Sequence, residues 1–206
     1  MNTTVEVIIQ LRRETGAGVM ECRKALEESQ QDYAKALTLL REAAALKAKK
    51  QTGHDALEGR IELYSHADGR IGVMVEINTE TEFASRSQAF HTFAREIALQ
   101  ITSAAPLYVR DEDIPAQILE ELSQAAVEKA RLAGKPEQII TQITAGVVEK
   151  YLNRTVLLRQ PYIRDETLSV AQLLSQLSGA LGENILIRRF ARWEINPDGE
   201  APAGRS

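Results

Sequence analysis

The chain has 206 residues, enough for one sizeable domain or two small ones. Hydrophobic residues at 44% and charged residues at 26% are ordinary globular values, while a formal charge of -4 argues against a chain whose main task is to hold DNA or RNA. The one cysteine, Cys22, cannot form an internal disulfide and fits a reducing cytoplasm. No run approaches the roughly 18 apolar residues of a membrane span, and Met1 to Glu6 resembles neither a signal nor a transit peptide.

Thr3 and Glu6 are spaced as a capping box, and Val5, Ile8, Ile9 and Leu11 follow at helical spacing, so a short helix is expected from about Val5 to Glu14. Thr15-Gly16-Ala17-Gly18 breaks it. A second helix should turn Val19, Cys22, Ala25 and Leu26 inward. A third, opened by Asp32, should turn Tyr33, Ala36, Leu37 and Leu40 inward and end in Leu46-Lys-Ala-Lys-Lys50 before Gly53. Three short helices make a module of a size that binds rather than catalyses.

Two extended runs follow. Ile61, Leu63 and Ser65 alternate with Glu62, Tyr64 and His66, and Asp68-Gly69 signals a hairpin. Beyond it Ile71, Val73, Val75 and Ile77 alternate with Gly72, Met74, Glu76 and Asn78. The alternation stops at Glu80-Thr81-Glu82-Phe83, and Ala84-Ser-Arg-Ser87 reads as a turn before the next helix. The pair of strands is expected to present Phe83, flanked by carboxylates, at its end, where it serves either as the lid of its own core or as an exposed probe of another protein's surface.

Phe90, Phe93, Ala94, Ile97, Ala98 and Ile101 form one helical stripe that should pack on the sheet, ending at Pro106. Ile118, Leu122, Ala125, Lys129 and Leu132, then Gly134-Lys-Pro136, then Ile139, Ile140, Ile143, Val147 and Tyr151 describe an antiparallel helical hairpin. A last helix opens at the Ser169 to Gln172 capping box and carries Val170, Leu173, Leu174 and Leu177. The run from Leu181 to Glu194 reads as a closing strand with Arg188, Arg189 and Arg192 as a basic patch or as edge charges, and residues 196–206 as a flexible tail.

Three stretches together resemble one family. Leu11-Arg-Arg-Glu-Thr-Gly-Ala-Gly-Val-Met-Glu-Cys-Arg-Lys-Ala-Leu26 is similar to the amino-terminal motif of bacterial elongation factor Ts, L-R-x-x-T-G-A-G-x-M-(D/E)-C-K-K-A-L. Glu76-Ile-Asn-Thr-Glu-Thr-Glu-Phe-Ala-Ser-Arg86 resembles E-(V/L/I)-N-C-E-T-D-F-V-A-R, departing at Thr79, Glu82, Ala84 and Ser85. Leu181-Gly-Glu-Asn-Ile-Leu-Ile-Arg-Arg-Phe190 resembles the carboxy-terminal L-G-E-N-(I/V)-x-(V/I/L)-R-R-F.

The resemblance implies an α+β fold: a ubiquitin-associated-like (UBA-like) three-helix module over residues 1–53, then a core over 54–195 with a small antiparallel sheet, packed helices and a helical hairpin. It implies a guanine-nucleotide exchange factor whose partner is elongation factor Tu. Thr81, Glu82, Phe83 and Ala84 would disturb that partner's magnesium and phosphate site, and Arg12, Val19 and Met20 would dock the module on its nucleotide-binding domain. Glu82 in place of Asp reaches one methylene further. Long members carry two sheet-and-helix subdomains where this chain has room for one, and self-association around an exposed sheet edge, a homodimer, could restore the second.

Nothing in the sequence points to covalent catalysis, a metal or a cofactor. His54, His66 and His91 are scattered, and with Cys22 they lack metal-ligand spacing. Glu80 and Glu82 alternate along an extended segment and suit no paired acid/base work; Ser85 and Ser87 lack a nucleophile-elbow context. Gly16-x-Gly18 has Glu21 where a dinucleotide motif needs glycine, and Gly134-Lys135 is followed by Pro136 rather than Ser or Thr. Two further classes stay open. One is an RNA- or ribosome-associated factor using Lys47, Lys49, Lys50 and the late arginines; the other is a scaffold whose helical module binds folded partners.

Overall fold

The computed structural model of the chain describes residues 4–51 and 53–195. The tail at 196–206 and Thr3 of the first capping box lie outside them. The chain divides into two compact units, one of residues up to 99 with those from 171 on, the other of residues 100–170.

In the first unit, α1 (Thr4–Thr15), α2 (Val19–Glu28) and α3 (Tyr33–Gln51) enclose Leu11, Cys22, Ala25, Leu26, Ala36 and Leu40. The breaks fall where the sequence places them. Gly16 takes φ +70 and closes α1 with its N–H on the Arg12 carbonyl. The Glu21 carboxylate accepts the Gly18 N–H at 2.9 Å at the start of α2, and Asp32 accepts the Lys35 N–H at 3.1 Å at the start of α3. Val19 departs from expectation: it is 49% exposed rather than inward. It is the first residue of α2, so the helix interior starts beyond it and the Cys22–Leu26 face closes without it.

The module sits directly on α8 (Val170–Leu181) through residues with little or no side chain. A Cβ on Gly16 would lie 3.1 Å from the Ala180 Cβ, and one on Gly179 would lie 3.0 Å from the Ala44 Cα. Glycine at 16 and 179 is what allows this approach.

Among the described residues, β1 (Glu58–His66), β2 (Ile71–Thr79) and β5 (Leu186–Glu194) form an antiparallel sheet in the order β1-β2-β5. Leu63 lies opposite Met74 and Val75 opposite Phe190, with a bulge at Glu76/Ile77. Val73, Val75 and Ile77 are buried, as are Phe90, Phe93, Ala94 and Ile97 of α5 (Gln88–Ala104). On β1 the inward face is instead polar. Arg95 of α5 stacks over the Tyr64 ring at 4.4 Å and approaches Glu62 at 3.7 Å, so Ile61 and Leu63 point the other way and are exposed.

The second unit holds the expected hairpin, α6 (Ala116–Leu132) and α7 (Glu137–Thr155), turned by Gly134 at φ +68. On α6 the buried positions are Ala126 and Ala130, one step round from the expected stripe, and Leu132 at its end is exposed, whereas α7 buries Ile140 as expected and Thr155 at its end. Alanine on the seam lets the two helices approach closely. A short ribbon of β3 (Pro161–Tyr162) and β4 (Asp165–Ser169) was not legible in the sequence. Fully buried Gln100 organises it, donating to Gln160 Oε1 and the Pro161 carbonyl, both at 3.2 Å, and accepting the Ile163 N–H at 2.9 Å.

Gly59 offers a direct check of the sheet. It holds φ +143 opposite Asn78, and a Cβ there would fall on the Ile77 carbonyl oxygen. Gly59→Ala is expected to lower the unfolding free energy in urea by about 1–3 kcal/mol. A loss under about 0.5 kcal/mol would count against this backbone conformation.

Candidate partner-binding surface

The stretch after β2 is a mount for one side chain. Thr79 Oγ1 donates to the Thr81 carbonyl at 2.7 Å, and Thr81, in extended conformation, caps α4 (Glu82–Ser85) by accepting the Ala84 N–H on its Oγ1 at 3.3 Å. Ala84 and Ser85 turn inward and are buried, so Phe83 is turned out and is 87% exposed. The sequence reading placed Phe83 at a strand end; the Thr81 cap puts it in a single helical turn just beyond. Glu82 is exposed and paired with Arg86 one turn later at 2.5 Å.

Residues far along the chain hold this mount. The Glu183 carboxylate accepts the Thr81 N–H at 3.1 Å and the Thr81 hydroxyl at 2.5 Å. The Glu80 carboxylate accepts the Asn184 N–H at 2.5 Å and faces His54 Nδ1 at 3.1 Å. The Asn184 side-chain amide donates to the His54 carbonyl at 2.7 Å. The Asn184 N–H, helped by His54, holds the Glu80 carboxyl below the usual carboxylate range.

Arg12, Val19 and Met20 lie on the module instead. Arg12 and Val19 line a shallow apolar groove with Val5, Ile8, Ile9 and Arg13, and Met20 beside Val19 is 70% exposed. Thr81 to Ala84 and these three residues thus occupy different elements. Buried Cys22 is no reactive thiol, because burial pushes its pKa up.

A further surface was not singled out from the sequence. Ile61, Leu63, Met74 and Trp193 share the outer face of the sheet, with Leu63 67% and Trp193 79% exposed. The signal was present in the β1 alternation, where the apolar set opposes Glu62 and Tyr64. Glu76 on the same face binds Arg189 at 2.7 Å and Arg188 at 3.5 Å, and Arg192 pairs with Glu194 at 2.8 Å. The late arginines are therefore matched by carboxylates. Among the described residues no group of His, Cys, Asp and Glu could hold a metal ion, and no helix is long and apolar enough to cross a membrane.

The structure is thus an α+β protein with an exposed aromatic on a braced loop and an open apolar surface on its helical module. The Elongation factor TS family profile matches residues 2–197. Elongation factor Ts of Acetivibrio thermocellus is 44% identical over 191 residues, covering 93% of this chain and 89% of that protein. The protein of that name from Coprothermobacter proteolyticus is 42% identical over 195 residues, covering 95% and 99%. That from Caldanaerobacter subterraneus is 43% identical over 191 residues, covering 93% and 96%. The chain belongs to the elongation factor Ts family, and its class is translation elongation factor.

The hydrogen bond to Glu80 has a pH signature. A depressed carboxyl stabilises the loop above the ordinary glutamate range, and that contribution is lost as pH falls through the lowered value. In an NMR titration the Asn184 amide resonance should hold steady through the usual glutamate range and move only below it. Movement centred at or above that range would show that Glu80 is not held.

Proposed function

We propose that this chain is a guanine-nucleotide exchange factor for elongation factor Tu, acting by association and not by covalent chemistry. The carrying observation is Phe83, a large aromatic 87% exposed on a turn whose preceding residues, Glu80 and Thr81, are hydrogen-bonded to Asn184 and Glu183. Its partners are the GDP-bound and nucleotide-free forms of that factor, and its setting is the cytoplasm.

The physical basis is linkage. A protein that binds the nucleotide-free partner more tightly than the GDP form lowers GDP affinity by the same factor. Typical couplings of about 1–3 kcal/mol give roughly 5- to 150-fold. Burying Phe83 supplies about 1.5–3 kcal/mol, so the remainder of a larger effect comes from other contacts. Arg12, Val19 and Met20 on the module serve that role, residues 1–53 acting as the docking part and 54–195 as the acting part. Thr81 caps and Ala84 anchors the turn, and Glu82 meets a polar group of the partner by leaving Arg86. Phe83 entering beside the bound magnesium disturbs the ion and phosphate loop, which together offset the charge of the diphosphate.

An RNA-binding role has less support, because Arg188, Arg189 and Arg192 already meet Glu76 and Glu194 and Lys47 meets Glu21. A homodimer is favoured by the outer sheet face, where Trp193, Leu63, Ile61 and Met74 are exposed beside a Glu76–Arg189 pair. Opposite charges on one patch suit a twofold contact, in which each copy offers the other what it carries itself. On this reading the proposed contact lies on the face of the sheet rather than at the expected edge.

Release of a fluorescent GDP analogue from elongation factor Tu should accelerate with wild type, and Phe83→Ala should lose roughly 10-fold or more of that acceleration, in line with about 1.5–3 kcal/mol of lost burial. Unchanged release with wild type would overturn the exchange reading. Light scattering should give about twice the 22.8 kDa chain mass for wild type. The Leu63→Glu, Trp193→Lys double variant should give the single-chain mass. A wild-type monomer at working concentration would rule the homodimer out.

A further inference from the structure

The motif Leu181-Gly-Glu-Asn184 runs from the last residue of α8 toward β5, about a hundred residues along the chain from the loop it touches. We propose that Glu183 and Asn184 are positioning residues for Phe83, a clamp that holds Glu80 and Thr81 so that α4 presents the aromatic in one fixed direction. This rests on the reading of Phe83 as the side chain that enters the partner.

The geometry is specific at the level of single atoms. The polar atoms of Thr81 are all engaged. Its N–H and hydroxyl hydrogen go to the two oxygens of Glu183, its Oγ1 lone pair to the Ala84 N–H, and its carbonyl to Thr79 Oγ1. A carboxylate accepts two such bonds at once, in the direction set by its own plane. On the neighbouring residue the Asn184 N–H fixes Glu80, and the Asn184 amide reaches the His54 carbonyl. The clamp therefore also ties down the segment between α3 and β1.

The clamp is itself anchored in the fold. Ser178 of α8 donates its hydroxyl to the Glu183 carbonyl at 2.5 Å and accepts the Ile185 N–H at 3.3 Å. Gly182 at φ +74 makes the turn between α8 and β5. Ser178 and Asn184 are buried, whereas the Glu183 carboxylate and Thr81 reach the surface next to exposed Phe83. A core element thus carries two polar groups out to the turn that bears Phe83.

The consequence concerns the order in which free energy is used. Without the clamp, residues 80–84 sample many conformations and must be ordered when Phe83 is inserted. The module surface that starts the encounter is untouched. Loss of the clamp then lowers the maximal stimulated rate of nucleotide release and leaves the concentration for half-saturation unchanged. A merely structural defect behaves otherwise: a fraction of misfolded protein raises the total concentration needed and leaves the ceiling where it was.

The test compares Glu183→Ala, Glu183→Gln, Phe83→Ala and the double variant of Glu183→Ala with Phe83→Ala, titrated against elongation factor Tu loaded with fluorescent GDP. Glu183→Ala should lower the ceiling roughly 10-fold, the scale of charge-assisted hydrogen bonds. Glu183→Gln, which keeps one acceptor, should fall between. In the Phe83→Ala background the Glu183 change should do nothing more, because the side chain being positioned is gone. A shift in half-saturation with an unchanged ceiling, or equal losses with and without Phe83, overturns the proposal. Hydrogen exchange of the isolated proteins supplies the arm that needs no partner. The Thr81 amide should exchange faster in Glu183→Ala while the module is unchanged, and equal protection in wild type and variant overturns the clamp. If wild type fails to speed release while that protection is lost, the exchange reading has failed and the clamp has not.

Discussion

The two oxygens of Glu183 on Thr81 are the interaction on which the rest depends. A side chain as large as Phe83 held almost wholly in water is costly to keep in place, because nothing apolar around it defines its position. Its direction must come from the backbone below it. That backbone is one helical turn, too short for internal hydrogen bonds to hold by themselves. The missing constraint is supplied by hydrogen bonds from a turn that the sheet and α8 fix independently. The strand order β1-β2-β5 makes this possible, since β5 pairs with β2 and so brings the residues just before it to the end of β2 where the loop begins.

The same economy of side chains governs the module. Its three helices enclose a small interior, and a small interior leaves little free energy to spare. Resting on α8 through Gly16 and Gly179 extends the buried surface without large side chains, and leaves Val5, Ile9, Val19 and Met20 open. Val19 shows how a position at the first turn of a helix can follow the apolar period and still fall outside the interior. The period describes direction around the axis and says nothing about distance along it.

Most of the fold was legible because its elements obey simple periods. The helices of the module, the β1–β2 hairpin, the α5 stripe and the α6–α7 hairpin all follow from spacing and from glycine and proline. What stayed hidden depends on contacts distant in sequence. Nothing local to Pro161–Ser169 announces a ribbon, because Gln100, some sixty residues earlier, supplies the hydrogen bonds that define it. The outward turn of Ile61 and Leu63 was hidden for a related reason. Alternation fixes two faces but not which one meets the core, and here the stacking of Arg95 on Tyr64 chooses the polar one. Phe83 was legible as an aromatic at the end of β2, but the local pattern suited a core lid as well as an exposed probe, and only the family resemblance favoured exposure; the one-turn helix beneath it and the acceptors across the chain were not legible.

The outer sheet face and the Phe83 loop pull in different directions on the same strands. A sheet with apolar residues on both faces gains from being covered twice, once by helices and once by another surface. The proposed role of the Phe83 loop needs the end of β2 to stay open. The bulge between Glu76 and Ile77 falls between these two demands. It shifts the register so that Leu186 and Ile187 meet the far end of β2, where Asn78 is bonded to Arg188 and to the Glu58 carbonyl. The apolar patch of Leu63, Met74, Ala191 and Trp193 therefore occupies the hairpin half of the sheet, and the polar half carries the loop. A cover over the first half can coexist with a partner at the second, because the sheet changes character along its length rather than from one strand to the next.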